Sequence, residues 1–273
     1  PVFLRAETTD VALPRSAFKR KARRFFLRQF YGRCDGFLAI GRNSRDHYLA
    51  HDVSPGRIGW APYCVDTDYF DLQVREFSPQ RQRLRREWGF SDRHTVILFS
   101  GKLIEKKDPL TLSRALRGLT VEERERIGLI VSGDGILRSS FEMECRKALE
   151  TRCVFTGFVN QSQIGSLYAA TDCLVLPSAW GETWGLVVNE ALQFGLPAVV
   201  SDRVGCYPDL VEEGETGFVF HTGDADGLRN CLRNVLEMSS DRRRQVAERC
   251  RNVVSAYTVQ DAVKGILQAV SRA

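Results

Sequence analysis

From about residue 93 onward the chain alternates short, nearly continuous apolar runs with stretches whose apolar positions recur every three or four residues. The runs at 95–100 (TVILFS), 128–132 (GLIVS), 153–156 (CVFT), 172–176 (DCLVL), 198–201 (AVVS) and 217–220 (GFVF) predict six strands. The stretches between them, at 109–118, 136–150, 161–170, 186–194 and 207–213, predict helices. A strand that is apolar on both faces needs cover on both faces. Alternation with helices therefore predicts a parallel, doubly wound α/β sheet, a Rossmann-like unit. Three more helical patterns, 224–237, 242–255 and 259–271, close the chain.

The first 92 residues differ in kind. They offer a strand at 1–5, a basic helical pattern at 15–31, a strand at 36–40, a helix at 44–50 and a strand-like run at 58–61. Two βα units do not complete a sheet, so this region reads as the C-terminal part of a second Rossmann-like domain. The chain begins Pro-Val-Phe-Leu without an initiating Met and is expected to be a fragment. The polar, Arg-rich segment 71–93 is expected to contain one short helix and otherwise to connect the two units.

Composition narrows the class. With 273 residues, 43% hydrophobic and 27% charged, the chain falls within ordinary globular bounds. No run approaches the roughly 18 to 20 apolar residues of a membrane-spanning helix, and no secretory signal layout opens the chain. Eight cysteines without a CxxC suggest neither a zinc site nor a disulfide framework, and a cytoplasmic location is the simplest expectation. Charge is local: residues 1–35 hold nine Lys/Arg against three Asp/Glu, which accounts for the whole formal net charge of +5. Arg15, Lys19, Arg20, Lys21, Arg23, Arg24 and Arg28 interleave with Phe18, Phe25, Phe26 and Phe30 at helical spacing. This basic amphipathic helix either turns its Phe face into the core, the favoured expectation, or docks on an anionic membrane surface. No nucleic-acid motif accompanies the charge, so nucleic acid is not an expected partner.

In open parallel sheets ligands bind beyond the carboxyl ends of the strands. Gly101-Lys102 follows the first of the six strands, Gly133-Asp134-Gly135 the second, Gly157-Phe158 the third, 178–182 the fourth and Asp202 the fifth. Thr183, Trp184 and Gly185 lead into the apolar helix beginning at Leu186, a helix start suited to phosphate. With Lys102 and Lys107 directed to the same edge, a diphosphate is the expected ligand. Other motifs are given their plain readings. Asp66-Thr67-Asp68 and Asp224-Ala225-Asp226 are not expected to hold metal, and His47 and His51 are expected to be surface histidines. Gly133-Asp134-Gly135 lacks the third glycine of a dinucleotide fingerprint, which argues against hydride transfer.

The string Phe99-Ser100-Gly101-Lys102 through Lys107, then Val131-Ser132-Gly133-Asp134-Gly135, Val154-Phe155-Thr156-Gly157-Phe158 and Gly181-Glu182-Thr183-Trp184-Gly185 through Asn189-Glu190-Ala191 resembles the retaining family 4 glycosyltransferases of the GT-B fold. Its strongest element is the Glu182-x7-Glu190 pair, followed by Gly195-Leu196-Pro197 and Gly214-Glu215-Thr216-Gly217. The resemblance implies that 1–75 belongs to an acceptor domain, that 76–256 is a donor domain binding a nucleoside diphosphate sugar, and that 257–273 returns toward the first domain.

It also implies roles. Glu182 would accept hydrogen bonds from donor-sugar hydroxyls, Glu190 would accept both ribose hydroxyls, and Lys102 and Lys107 would neutralise the leaving diphosphate without a metal or other cofactor. Gly101, Gly133, Gly157, Phe158, Thr183, Trp184, Gly185 and Leu186 would line the donor site. The acceptor would be a glycan, a lipid-linked or a small molecule. The chain departs from the family pattern where Lys102 replaces a usual Arg, where 5–9 (RAETT) lacks a common His, and where Tyr257-Thr258-Val259 lacks a Trp. Two other functions fit the same residues: a nucleotide-sugar epimerase on a related scaffold, and a non-catalytic nucleotide-sugar-binding protein.

Overall fold

A computed structural model describes residues 1–7 and 17–272. Strands β1 (Phe3–Arg5), β2 (Gly36–Ala39) and β3 (Ile58–Trp60) form a three-stranded parallel sheet in that order, with helices α1 (Ala17–Tyr31) and α2 (Arg42–Ala50) between them. Helices α3 (Thr67–Phe77) and α4 (Arg81–Glu87) lead to a second sheet. It contains β4 (Thr95–Ser100), β5 (Ile127–Ser132), β6 (Cys153–Gly157), β7 (Cys173–Leu176), β8 (Ala198–Ser201) and β9 (Gly217–Phe220) in the order β6-β5-β4-β7-β8-β9, all parallel. The chain steps outward from β4 to β6, then returns to the other side of β4 with β7. That reversal opens a crevice between the carboxyl ends of β4 and β7.

The larger sheet is covered by α5 (Pro109–Arg117), α6 (Val121–Glu125), α7 (Arg138–Leu149), α8 (Gln161–Ala170), α9 (Leu186–Gln193), α10 (Tyr207–Leu210), α11 (Ala225–Leu236) and α12 (Ser240–Val254). Alternate strand residues divide between two cores. Ile97, Phe99, Leu129, Val131, Val175 and Val199 pack on the side of α5, α7 and α11. Val96, Leu98, Ile130, Leu174, Leu176 and Val200 pack on the side of α8, α9 and α12. The period-2 geometry of a strand requires this split, and it explains why both faces had to be apolar. The final helix, α13 (Val259–Val270), crosses back to lie on β2 and β3. Gly265 permits this, because a Cβ there would collide with the Trp60 carbonyl.

Four expectations are corrected. Segment 71–93 contributes to two helices, not one. Asp66 caps α3 by accepting from the Tyr69 amide at 3.0 Å, and Phe70, Gln73 and Phe77 bury one face of it, while α3 and α4 pack against α8. The short helix α6 was not anticipated, although Thr120 and Glu123 form a capping box at its start. His47 and His51 are buried, not exposed: the Tyr31 hydroxyl lies 2.9 Å from His47 Nε2, and His51 Nδ1 lies 2.8 Å from the His47 carbonyl. The described part of the Phe face of α1 is not in the core. Phe25 and Phe26 are 62% and 70% exposed and Phe30 is exposed, whereas Leu27 and Tyr31 make the inward contact. Arg15 and the side chains of Phe18, Lys19 and Arg20 lie outside what the structure describes.

Candidate active site

The loops after β4, β5 and β6 are joined through their backbones. The Gly101 amide donates to the Ser132 carbonyl at 2.9 Å, Leu103 to Asp134 at 2.9 Å and Gly133 to Gly157 at 2.8 Å. Such close approach needs glycine: a Cβ on Gly133 would strike the Gly101 carbonyl, and Gly133 adopts φ 130°. The glycines after these strands therefore build a rigid rim. Exposed on that rim are Phe158, 87% accessible, and Ile136, which follow the glycines of the β6 and β5 loops.

From the β4 loop, Lys107 reaches the β7 loop and pairs with Glu182 Oε2. Ser178 Oγ donates to the same carboxylate at 2.9 Å, and Ser201 Oγ donates to the Ser178 carbonyl at 2.5 Å, so the end of β8 braces the residue that braces Glu182. The two loops are further tied by the Ala179 amide on the Lys106 carbonyl at 2.9 Å. Lys102 is exposed at the start of the β4 loop and makes no ion pair among the described residues. The structure thus brings together Lys107 and Glu182, and leaves Lys102 as an exposed cation five residues before Lys107.

Gly185, at φ 103°, turns the chain into α9, whose first amides are the unpaired donors of any helix start. One turn further, Glu190 is half-buried and accepts from the Tyr168 hydroxyl at 2.6 Å, while Tyr168 itself is buried against Ser100 at the end of β4. Burial holds the Glu190 carboxyl above its ordinary range, and the Tyr168 bond only partly opposes this. Glu190 is not one of a solvated polar trio, because its neighbours Asn189 and Gln193 are buried.

The side chains of Trp184 and Thr183 are both engaged by other protein groups. The Trp184 ring is 3% exposed, its indole N–H donates to Asn189 Oδ1 at 2.8 Å, and it packs against Tyr63 and Tyr257. Its side chain is a wedge between the two units and is closed to a ligand. It stands against Tyr257, in the segment that lacks the family's usual Trp. Thr183 Oγ1 donates to Glu7 Oε2 at 2.9 Å, and the Tyr63 hydroxyl donates to Glu7 Oε1, so Glu7 of the first unit closes one side of the cleft. Burial, reinforced by the Glu7 carboxylate beside it, pushes the Tyr63 phenol up to about 12. Thr8 and Thr9 lie outside the described residues. Both DxD strings are occupied as helix caps: Asp66 for α3, and Asp224 for α11 through the Asp226 and Gly227 amides at 3.1 and 2.9 Å.

The residues that pattern reading missed are Ser178, Tyr168, Glu7 and Asp209. Each acts through a partner 4 to 176 positions away; Ser178 lies in the 178–182 segment at the crevice edge and Glu7 in the 5–9 segment that departs from the family pattern, whereas no motif marks Tyr168 or Asp209.

Residues 80–253 match the family model described as glycosyl transferases group 1. The chain is 33% identical over 175 residues to sulfoquinovosyl transferase SQD2 of Arabidopsis thaliana, covering 63% of this chain and 32% of that protein. It is 28% identical over 224 residues to D-inositol 3-phosphate glycosyltransferase of Corynebacterium aurimucosum, covering 80% of this chain and 52% of that protein. Among solved structures, Anabaena HepE in complex with UDP superposes over 100% of this chain and 72% of its own, with TM-score 0.79 and 19% identity. WaaG, described as a glycosyltransferase involved in lipopolysaccharide biosynthesis, superposes over 96% of this chain and 73% of its own, with TM-score 0.71 and 21% identity. The two structural likenesses bear on fold and identify it as GT-B. The chain spans about a third to a half of the length of these two curated relatives. By its match over most of its length, the chain belongs to the glycosyl transferases group 1 family.

Proposed function

We propose that the chain provides the donor side of a glycosyltransferase that moves a sugar from a nucleoside diphosphate to a hydroxyl of a glycan, lipid-linked or small acceptor. The observation that carries this reading is the Lys107–Glu182 pair, braced by Ser178 at the crevice edge and followed by the start of α9 and by Glu190. Departure of a nucleoside diphosphate develops negative charge on phosphate oxygens. Fixed cations and helix-start amides meet that charge without reorganising and stabilise the transition state more than the ground state. Lys107 would turn from Glu182 to the diphosphate, and Lys102 would add a second positive charge. Glu182, released from the lysine, would accept from sugar hydroxyls, and Glu190 from the ribose.

A metal is not required in this reading, because the lysines and the helix start supply the positive potential and the two DxD aspartates serve as caps. Retention of configuration is what the family resemblance implies. Calorimetry with UDP, GDP and ADP in the presence of EDTA tests the reading. Binding of at least one diphosphate is expected. Binding that appears only when Mg²⁺ is added would overturn the metal-free reading, and absence of binding under both conditions would overturn the donor site.

The exposed Phe25, Phe26 and Phe30 favour a further element: the acceptor is presented at an anionic membrane surface on which α1 docks. No helix among the described residues is long and apolar enough to cross a membrane. Arg24 and Arg28 flank the aromatic patch, and both face Asp52. Each basic residue near an anionic leaflet contributes about 1 kcal/mol, screened by salt, and inserted aromatic rings add a salt-independent part. Co-sedimentation with phosphatidylglycerol-containing vesicles should therefore weaken as salt rises, and pure phosphatidylcholine vesicles should bind little. Replacing Arg20, Lys21, Arg23 and Arg24 by Gln should abolish it while diphosphate binding stays intact. Undiminished vesicle binding by that variant would remove α1 from the interaction.

A further inference from the structure

Asp209, in α10 of the larger unit, takes no part in the donor chemistry, yet its side chain is 0% exposed. Its carboxylate meets the start of α2 in the smaller unit. The Arg42 amide is shared between the two oxygens at 3.1 and 3.0 Å, the Tyr257 hydroxyl donates to Oδ1 at 3.2 Å, and Arg42 Nε lies 3.9 Å from Oδ1. Helix α2 has no side-chain cap of its own because Gly41 occupies that position. The cap is supplied from the other unit, where the α2 dipole also favours the negative charge.

Gly41 has a second role. A Cβ there would collide with the Trp184 ring and would lie 3.0 Å from Asp209 Oδ2, so the missing side chain leaves a notch that both residues occupy. The segment just before Asp209 holds the site loop: the Gly205 and Cys206 amides donate to the Glu182 and Trp184 carbonyls, each at 2.9 Å. Asn43 Nδ2 of α2 donates to the Gly205 carbonyl at 2.9 Å. A line of contacts thus runs from the start of α2 through Asp209, by way of Tyr257 and the Gly205–Cys206 backbone, to Trp184 and the backbone of Glu182.

We propose that Asp209 is a positioning residue: by capping α2 across the cleft it makes the placement of Trp184 and Glu182 depend on the two units being closed together. Opening the cleft would strip α2 of its cap, vacate the Gly41 notch and release the loop that carries Glu182. This takes Glu182 as the site carboxylate, as proposed above, but its test reads loop order rather than transfer, so the two readings can fail separately.

The groups facing Asp209 are Arg42 and Asp46 from α2, Tyr257 ahead of α13 and Cys206 at the start of α10. Burial outweighs the hydrogen bonds and Arg42 and pushes the carboxyl up to about 6. A closed state that holds this proton more tightly than an open one is favoured at low pH, and the contact weakens as pH rises through about 6.

Two measurements test the proposal. Intrinsic fluorescence, followed over the pH range, should show a transition centred near pH 6 that is absent in both Asp209→Asn and Trp184→Phe. A transition that persists in Asp209→Asn overturns the proposal. Hydrogen exchange at a single pH should accelerate together, by about tenfold or more, in peptides 41–46 and 182–190 of Asp209→Ala. Asp209→Asn, which keeps the shape and an acceptor, should restore protection. Acceleration confined to 41–46 would make Asp209 a helix cap without coupling and would also overturn the proposal. Should Asp209→Ala not fold, the fluorescence of the near-isosteric Asn variant decides.

Discussion

Glu190→Gln is expected to weaken nucleoside diphosphate binding by about 1 to 3 kcal/mol, roughly 5- to 150-fold, while Glu182→Gln leaves it unchanged or slightly tighter. Glu190 already accepts from Tyr168 with one oxygen, so its remaining lone pairs are what a ribose could use. Gln keeps the shape but turns one oxygen into a donor, and either Tyr168 or the ribose loses an acceptor. Glu182 neutralises Lys107, so removing its charge frees the ammonium for a diphosphate. Under the proposed function its loss should instead appear as a drop in sugar-transfer turnover of about two orders of magnitude or more.

The raised carboxyl of Glu190 adds a sign that can be checked. Acidification protonates Glu190 before an ordinary carboxylate, so diphosphate affinity should fall as pH drops, and this slope should be missing in Glu190→Gln. For folding the direction is opposite. Between the ordinary carboxylate range and the raised value the folded chain keeps a proton that the unfolded chain has lost, so this group's contribution declines as pH rises, and Glu190→Gln should not lower the melting point at neutral pH. Calorimetry and thermal unfolding on the same samples give both answers. Equal losses of diphosphate affinity in the two variants would defeat the division of roles.

The strands of the larger sheet were legible because a parallel strand buried on both faces must be apolar at every position, a signal independent of register. β8 and β9 were placed to the residue for that reason. The glycine turns were legible too, since Gly133 and Gly135 stand where backbones touch and a Cβ would collide with a carbonyl. What stayed hidden depends on contacts distant in the chain. The buried face of α3, at Phe70, Gln73 and Phe77, is spaced among Arg and Gln and becomes meaningful only against α8. The Phe positions of α1 have helical spacing, but period alone does not say which face a helix turns inward. Leu27 and Tyr31 won that contact through the cluster of Phe37, Tyr48 and Val53. Trp184 read as part of a ligand loop because its neighbours do so; its wedge position depends on Gly41, 143 residues earlier.

Asp172→Ala is expected to cost about 3 kcal/mol or more, the largest stability loss predicted for a single side chain of the larger unit. In the sequence Asp172 is merely the polar start of an apolar run, but in the fold it holds three arginines. Arg81 donates to Oδ1 at 2.7 Å, Arg85 to Oδ2 at 3.0 Å, and Arg243 lies 3.7 Å from Oδ1. The Val96 amide donates to Oδ2 at 2.7 Å, so one carboxylate also joins the starts of β4 and β7. Arg85 is 3% exposed at the side chain, so removing its partner leaves a charge that water cannot reach. Spread over the unit, this loss should lower the unfolding midpoint by roughly 6 to 12 °C. Asp172→Asn, which keeps an acceptor for one or two of the four donors, should fall between. In Asp172→Ala combined with Arg85→Met the loss should be smaller than the two single losses added, because the stranded charge is gone. The cluster lies at the end of the sheet opposite the crevice, so diphosphate affinity measured well below the melting point should not change. A melting point within about 2 °C of the parent would mean that the arginines find water or other partners, and that α4 and α12 are held to the sheet by packing alone.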